Sequence, residues 1–283
     1  MISVPIAVNN ALFQWQLELW WWNQRRLYGN GAKAKSLAVV VDKNYANDKP
    51  YPQDWLKDIP HVLVTGIWNK PVSNQHTVSG DLPLNIQHGL KQLLPKFDDE
   101  EIIEVLDCDM FHLRPAPDVV VRHDMLVVCD LYENWHLKSI TDNRGVIAPY
   151  FQNNGRYYNG GFVPIVGKAK TFKKLMYEWD AVHRDILLRQ KDRNLRWWAG
   201  MFALQAACEK NKVTMVADDI CYIPGHNALK DSHYIVHYSV DRAFNKKSFP
   251  DIDFTALPSN VFYDQVKAWH LTSSYAALTE QLR

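Results

Sequence analysis

The sequence predicts an α/β fold: a mostly parallel central sheet flanked by helices, in a single domain over residues 1–283. Three features carry this reading. Short apolar, β-branched runs alternate with segments of helical length, the pattern of layered α/β domains. Residues 36–41 (SLAVVV) are almost wholly apolar, as a strand covered on both faces must be. The apolar run at residues 101–106 (EIIEVL) leads straight into two acids, Asp107 and Asp109. In open α/β sheets, ligands bind beyond the carboxyl ends of the strands.

Taken in order, residues 2–8 (ISVPIAV) read as a first buried strand. Residues 10–28 have helical length and stop at Gly29 and Gly31, which suit a helix C-terminus. Residues 36–41 are the second strand. Residues 42–60, rich in Asn, Asp, Lys and Pro, read as a loop. A strand follows at 61–65, then a helix over 83–94 that Pro95 ends. Residues 101–106, 125–129 and 162–166 are further strands, the last of them after a Gly pair. Amphipathic helices are predicted at 171–188 and 197–210, with late short strands at 213–217 and 234–238. The alternation is regular to about residue 130 and looser beyond it.

Composition excludes several classes. A chain of 283 residues that is 47% hydrophobic and 22% charged buries a substantial core, so disorder does not dominate. No run of about 18 apolar residues exists, so no membrane span is expected. The first residues lack a basic segment, and Gln14, Gln16 and Glu18 interrupt the apolar stretch after them, unlike a secretory signal. Cys108, Cys129, Cys208 and Cys221 lie far apart with no CxxC pair, which argues against a disulfide scaffold or cysteine zinc site. A reducing, cytoplasmic location is therefore expected. A net charge of +1 gives no global field, so charged partners must be met locally. Eleven Trp and 13 Tyr supply amphipathic rings able to stack on flat ligand faces as well as fill a core.

The segment with most chemical content is Glu104-Val-Leu-Asp107-Cys-Asp109-Met110. At a strand end, side chains two apart point to the same side. Two like charges held that close favour a cation between them. Hard divalent ions such as Mn²⁺ or Mg²⁺ take carboxylate oxygens and bridge to a diphosphate. A bare DxD is also a common loop turn. The apolar strand before it, and Phe111, Pro115 and Pro117 after it, favour the ligand-binding reading.

This segment resembles the DxD motif of GT-A glycosyltransferases, whose Rossmann-like fold uses a metal to hold a sugar nucleotide. Residues 158–162 (YNGGF) are similar to the segment that lines donor sugar and acceptor in many such enzymes. Residues 197–203 (WWAGMFA) resemble the tryptophan-to-methionine helix of the hydroxyproline O-arabinosyltransferase and peptidyl serine galactosyltransferase families. Residues 237–247 (HYSVDRAFNKK) look like the late His-to-Lys segment, where the His completes the metal shell and a Lys contacts the pyrophosphate. The plant families carry a Glu before the helix Met where this chain has Gly200, so that residue's role does not transfer. The resemblance implies a nucleotide-sugar half at 1–130, and an acceptor half with a C-terminal metal and phosphate segment at 131–283.

On this reading Asp107, Asp109 and His237 ligate Mn²⁺ or Mg²⁺. His233 is the competing histidine, four residues earlier; His237 is preferred because Lys246 and Lys247 follow it within reach of a phosphate. Donor-binding residues are Asn10 and Asn85 for the nucleotide, Asp107, then Asn159, Gly160 and Gly161 for the sugar, and Lys246 and Lys247. Residues 130–136 (DLYENWH) crowd acids, a His and aromatics after a strand. Tyr132, Trp135 and His136, with Trp197 and Trp198, are acceptor-binding candidates; Glu133, Asp218 and Asp219 are catalytic candidates. The Trp20-Trp21-Trp22 triplet covers most of a helix circumference, so at least one ring must leave the core.

The implied chemistry is transfer of a sugar, of arabinose or galactose type, from a UDP-sugar to a hydroxyl, with retention expected. The acceptor is a peptide hydroxyl, a glycan, or a hydroxymethylated base in phage-type DNA. Basic residues at 168, 170, 173, 174, 184, 189, 191, 193 and 196 favour the last only if they are not ordinary solvated helix faces. The alternative is a non-catalytic sugar-nucleotide or carbohydrate-binding module. A metal-dependent phosphohydrolase would use the same acids but leaves the 158–162 and 197–203 segments unexplained.

Overall fold

The computed structural model describes residues 1–9, 11–42, 53–67, 78–119, 121–129, 145–151, 162–190, 196, 198–223 and 230–237. The elements that bear on the site are β1 (Ile2–Val8), α1 (Ala11–Tyr28), β2 (Ala38–Asp42), β3 (His61–Thr65), α2 (Val78–Leu93), β4 (Ile102–Asp107) and β5 (Met110–His112). After them come β6 (Met125–Cys129), β7 (Phe162–Lys168), α3 (Ala169–Arg189), α4 (Ala199–Lys210), β8 (Thr214–Asp218), β9 (Cys221–Tyr222) and β10 (Ile235–His237).

Seven strands form one sheet in the order β3-β2-β1-β4-β7-β6-β8. All pairs are parallel except those that β7 makes with β4 and β6. The predicted mostly parallel sheet is thus observed. Strands from before and after residue 130 interleave in it. A smaller sheet, β5-β10-β9, joins the end of the 102–112 segment to a strand more than a hundred residues later.

Alternation along the strands splits the core in two. Ile6, Val39, Val41 and Val105 face α2, α3 and α4 through Leu90, Phe172 and Phe202. Ala7, Val40 and Leu106 face α1 and the small sheet through Leu17, Trp20 and Ile235. Strands covered on both faces need apolar side chains on both, which is why residues 36–41 look continuous in sequence. Edge strand β3 instead exposes His61, Leu63 and Thr65.

The tryptophan triplet divides as its helix geometry requires. Trp20 is fully buried and donates its indole N–H to Ser3 Oγ at 3.2 Å. Trp21 is buried with the Arg25 guanidinium 5.7 Å above its ring, and Trp22 is half-buried. α1 ends at Gly29, whose φ of +53° is the left-handed conformation a helix C-terminus favours.

Three elements differ from expectation. α2 begins at Val78 rather than at 83: a proline suits the first turn of a helix, which points to a start at Pro83, but the chain before Pro83 is already helical. β5 and β9, three and two residues long, are too short to register as a hydrophobic period.

Helix α2 approaches β2 closely at Gly89, where a Cβ would stand 2.8 Å from Val39 Cγ1 and 2.9 Å from Val41 Cγ2. Gly89→Ala should therefore destabilise by on the order of 1 kcal/mol, because overpacking outweighs the better helix propensity of Ala. Urea unfolding measures this, and an unchanged or raised midpoint would contradict the close approach.

Candidate functional site

β4 delivers Asp107 to the carboxyl end of the sheet, in register with Ile6 of β1. The next residue, Cys108, turns the other way, buried with its Sγ donating to Gln16 Oε1 of α1 at 2.9 Å. Cys108 and Asp109 form the turn between β4 and β5, and this turn brings Asp109 back beside Asp107. The chain runs on into β5, and β5 pairs antiparallel with β10, placing Met110 opposite His237.

That pairing closes a three-residue cluster. His237 Nε2 lies 3.2 Å from Asp109 Oδ1 and 3.9 Å from Asp107 Oδ2. One ligand atom from each of the three residues lies within 4.8 Å of the others. The His237 side chain is buried, Asp109 is 13% exposed and Asp107 33% exposed, so the cluster opens to solvent on the Asp107 side. Two carboxylates and one imidazole at this spacing fit a hard divalent cation, whose ligands at about 2.1 Å stand roughly 3 Å apart when at right angles.

His233 is placed differently. Its Nε2 donates to Asp219 Oδ1 at 2.7 Å, and its Nδ1 accepts from the Lys230 backbone N–H at 3.0 Å. Lys230 Nζ bonds the other oxygen of Asp219. Burial alone would raise the Asp219 carboxyl, but its bonds from Lys230 and His233 hold it below the usual carboxylate range. Asp218 is the exposed last residue of β8.

Asn85 on α2 is buried and accepts from the Ile67 backbone N–H at 2.7 Å, tying the chain after β3 to that helix. Asn9, just beyond β1, donates to Asp42 Oδ1 at 3.1 Å. Trp198 is half-buried against the larger core cluster. Asn10, Tyr132, Glu133, Trp135, His136, Asn159, Gly160, Gly161, Trp197, Lys246 and Lys247 lie outside the described residues.

Beside Asp107 is a cavity of about 100 Å³, lined in part by Ile6, Val105, Gln87, His183 and Met201. Gln87 and His183 carry no signal in the sequence, where each is one polar residue in an amphipathic helix. His183 Nδ1 donates to Gln87 Oε1, leaving Nε2 as the unprotonated nitrogen. Burial pushes the imidazole down to about 3, so it is neutral at ordinary pH. Gly200 makes room for this ring, since a Cβ there would stand 3.2 Å from His183 Cε1. The polar atoms His183 Nε2 and Gln87 Nε2 are buried with no hydrogen-bond partner among the described residues.

The described basic residues at 168–196 each meet an acid or a carbonyl, while Lys191 and Arg193 lie outside the described residues. Lys168 and Lys170 clasp Glu100 at 2.6 and 2.5 Å and hold its carboxyl down at about 2. Lys173 pairs with Asp99 and Lys174 with Asp124, at 2.7 and 2.8 Å. Arg184 pairs with Asp180 and Arg189 with Asp185. Arg196 is buried and donates to the carbonyls of Leu187 and Gln190. Among the described residues no helix is long and apolar enough to cross a membrane. All four cysteines are buried and none forms a disulfide.

No family model and no curated protein matches the chain. Solved structures do. The apo-form glycosyltransferase GlyE of Streptococcus pneumoniae TIGR4 superposes with a TM-score of 0.50 at 11% identity, over 96% of this chain and 64% of GlyE. The galactosyltransferase LgtC, in complex with donor and acceptor sugar analogs, gives 0.48 at 13% identity over 95% of this chain and 96% of LgtC. The bifunctional glycosyltransferase WbbM gives 0.48 at 10% identity, covering 84% of this chain but 46% of WbbM. The chain thus spans about half the length of WbbM and under two thirds of GlyE. The likeness to GlyE is one of fold, and the fold is of GT-A type.

His183 generates a pH prediction. Its folded value is far below its unfolded value of about 6.5, so the unfolded chain binds a proton that the folded chain does not. Its contribution is therefore fully present above pH ~6.5 and is lost as pH falls toward about 3, at up to about 1.4 kcal/mol per pH unit. Urea midpoints for wild type and His183→Gln between pH 7 and 5 check this. The variant should show the shallower decline, and identical declines would contradict the neutral buried imidazole.

Proposed function

We propose that the protein is a glycosyltransferase that moves a sugar from a UDP-sugar to a hydroxyl acceptor. The observation that carries this reading is the convergence of Asp107, Asp109 and His237 at the carboxyl end of β4 in a GT-A fold. When bound there, Mn²⁺ or Mg²⁺ supplies neutralisation of the charge on a departing diphosphate. Electrostatic assistance of this kind is usually the largest contribution in such chemistry.

The chain's own residues divide the remaining work. Asp107 and Asp109 would supply oxygens and His237 a ring nitrogen to hold the cation. Lys246 and Lys247 add positive charge to the diphosphate. Asn10 is the candidate that orients the nucleotide, whereas Asn85, buried and engaged by the Ile67 N–H, holds the chain after β3 instead; residues 1–130 form the nucleotide-sugar half. The cavity beside Asp107, with Asn159, Gly160 and Gly161, holds the sugar and excludes water from the reacting bond. Tyr132, Trp135, His136, Trp197 and Trp198 orient the acceptor from the 131–283 half.

Glu133, Asp218 and Asp219 are the acids for proton transfer or for flanking the anomeric carbon. Asp218 is the stronger of the adjacent pair, because Asp219 is engaged by Lys230 and His233. The sugar is of arabinose or galactose type and the stereochemistry retaining, both on the family resemblance. A glycan or peptide hydroxyl is preferred over a DNA base, because the lysines of residues 168–174 already hold acidic partners.

Incubation with a panel of UDP-sugars and Mn²⁺ should release UDP rather than inorganic phosphate, and EDTA should stop it. Binding without turnover would favour the carbohydrate-binding alternative, and release of phosphate would favour a phosphohydrolase. Asp109→Ala should abolish turnover and Mn²⁺ binding while leaving far-UV circular dichroism unchanged, since its side chain sits at the cluster rather than in either core. An active Asp109→Ala variant would remove the metal role.

A further inference from the structure

On the face of β4 turned away from the cavity, a third carboxylate is fully enclosed. Glu104 accepts from His112 Nε2 at 2.7 Å and from the Tyr234 hydroxyl at 2.9 Å. The Gln24 amide donates to His112 Nδ1 at 2.8 Å, which leaves the ring proton on Nε2, aimed at Glu104. Asn23 forms a reciprocal pair with the His112 backbone, donating to its carbonyl at 2.9 Å and accepting from its N–H at 3.1 Å. The His112 and Tyr234 rings stack with centroids 6.0 Å apart.

Nothing in the packing of β4 calls for a charge here. Its neighbours Ile103, Val105 and Leu106 are buried and apolar, and an enclosed carboxylate is unfavourable unless its bonds are complete. What this carboxylate does is join β4 to β5 through His112 and to the residue before β10 through Tyr234, with α1 added through the bonds of Asn23 and Gln24 to His112. The join lies on the same short ladder as the cation cluster. His112 is in register with Ile235, and Met110 with His237. The anchored end of the ladder is thus two residues, about 7 Å, from the end that presents His237. With β5 and β10 each three residues long, the ladder has few bonds of its own to set its distance from β4.

We propose that Glu104 is a positioning residue for the Asp107–Asp109–His237 cluster. By holding His112 and Tyr234, it sets where the small sheet sits against β4. It thereby sets how far His237 and Asp109 stand from Asp107. This rests on the reading of the cluster as a cation site. Polar residues that orient metal ligands typically change affinity about 10- to 100-fold when altered.

The test is Mn²⁺ binding to the full chain by isothermal titration calorimetry, with thermal unfolding measured in parallel. Wild type, Glu104→Gln, Tyr234→Phe and Gly89→Ala, a core variant on the opposite face of the sheet from Glu104, are compared. Glu104→Gln keeps the size but puts an N–H donor where an acceptor is needed. It should bind Mn²⁺ at least about tenfold more weakly while folded, with a smaller loss for Tyr234→Phe. Gly89→Ala, though less stable, should bind as wild type does, which a merely structural role for Glu104 would not separate. A folded Glu104→Gln with wild-type Mn²⁺ affinity overturns the proposal. Should Glu104→Gln not fold, wild-type affinity in Tyr234→Phe overturns it instead. Wild-type protein that binds no Mn²⁺ ends the cation reading and this inference together, whereas normal wild-type binding with indifferent variants ends only the positioning role.

Discussion

Two carboxylates and an imidazole held within 4.8 Å of one another are the constraint around which this molecule is arranged. Asp107 and Asp109 share a side because the turn at residues 108–109 folds the second acid back beside the end of β4, and their charges repel unless a cation lies between. The histidine comes from β10, far along the chain, through a ladder of three residue pairs. The spacing is therefore a property of how two sheets meet, and no single segment sets it.

The central sheet gives its two faces different tasks. Toward α2, α3 and α4 it presents Val105 and Asp107 to a cavity whose far side is the neutral His183 and its partner Gln87. Toward α1 and the small sheet it presents Glu104 and Leu106, and Cys108 in the following turn points the same way, bonded to Gln16 of α1. Strand alternation makes this division automatic: neighbouring residues of β4 serve opposite layers. A recess beside the cluster and its supporting framework can thus be built from one short run of chain.

Much of the scaffold was legible in the chain. The continuous apolar run at 36–41 marked a strand buried on both faces, and the apolar run before Asp107 marked the strand that carries the site. Gly29 marked the end of α1 because it takes up a backbone angle that other residues resist. Short strands were not legible, since two or three residues hold no period. The basic row at 168–174 was ambiguous for another reason. Its partners Asp99, Glu100 and Asp124 lie some fifty to seventy residues earlier, so charge counted along the chain could not show that it is met.

The choice between His233 and His237 shows most clearly where sequence stops. Four residues apart, they carry the same chemistry, and only their surroundings separate them. His233 is bonded to Asp219 and the Lys230 backbone, while His237 stands against the acids. Residue order by itself determined the layered fold and the acidic pair, because hydrophobic period and strand alternation are local. Tertiary structure brought His237 rather than His233 to the acids, and formed the His183–Gln87 recess and the bonds of Glu104 to His112 and Tyr234, because each depends on distances between segments that only the packed sheets establish.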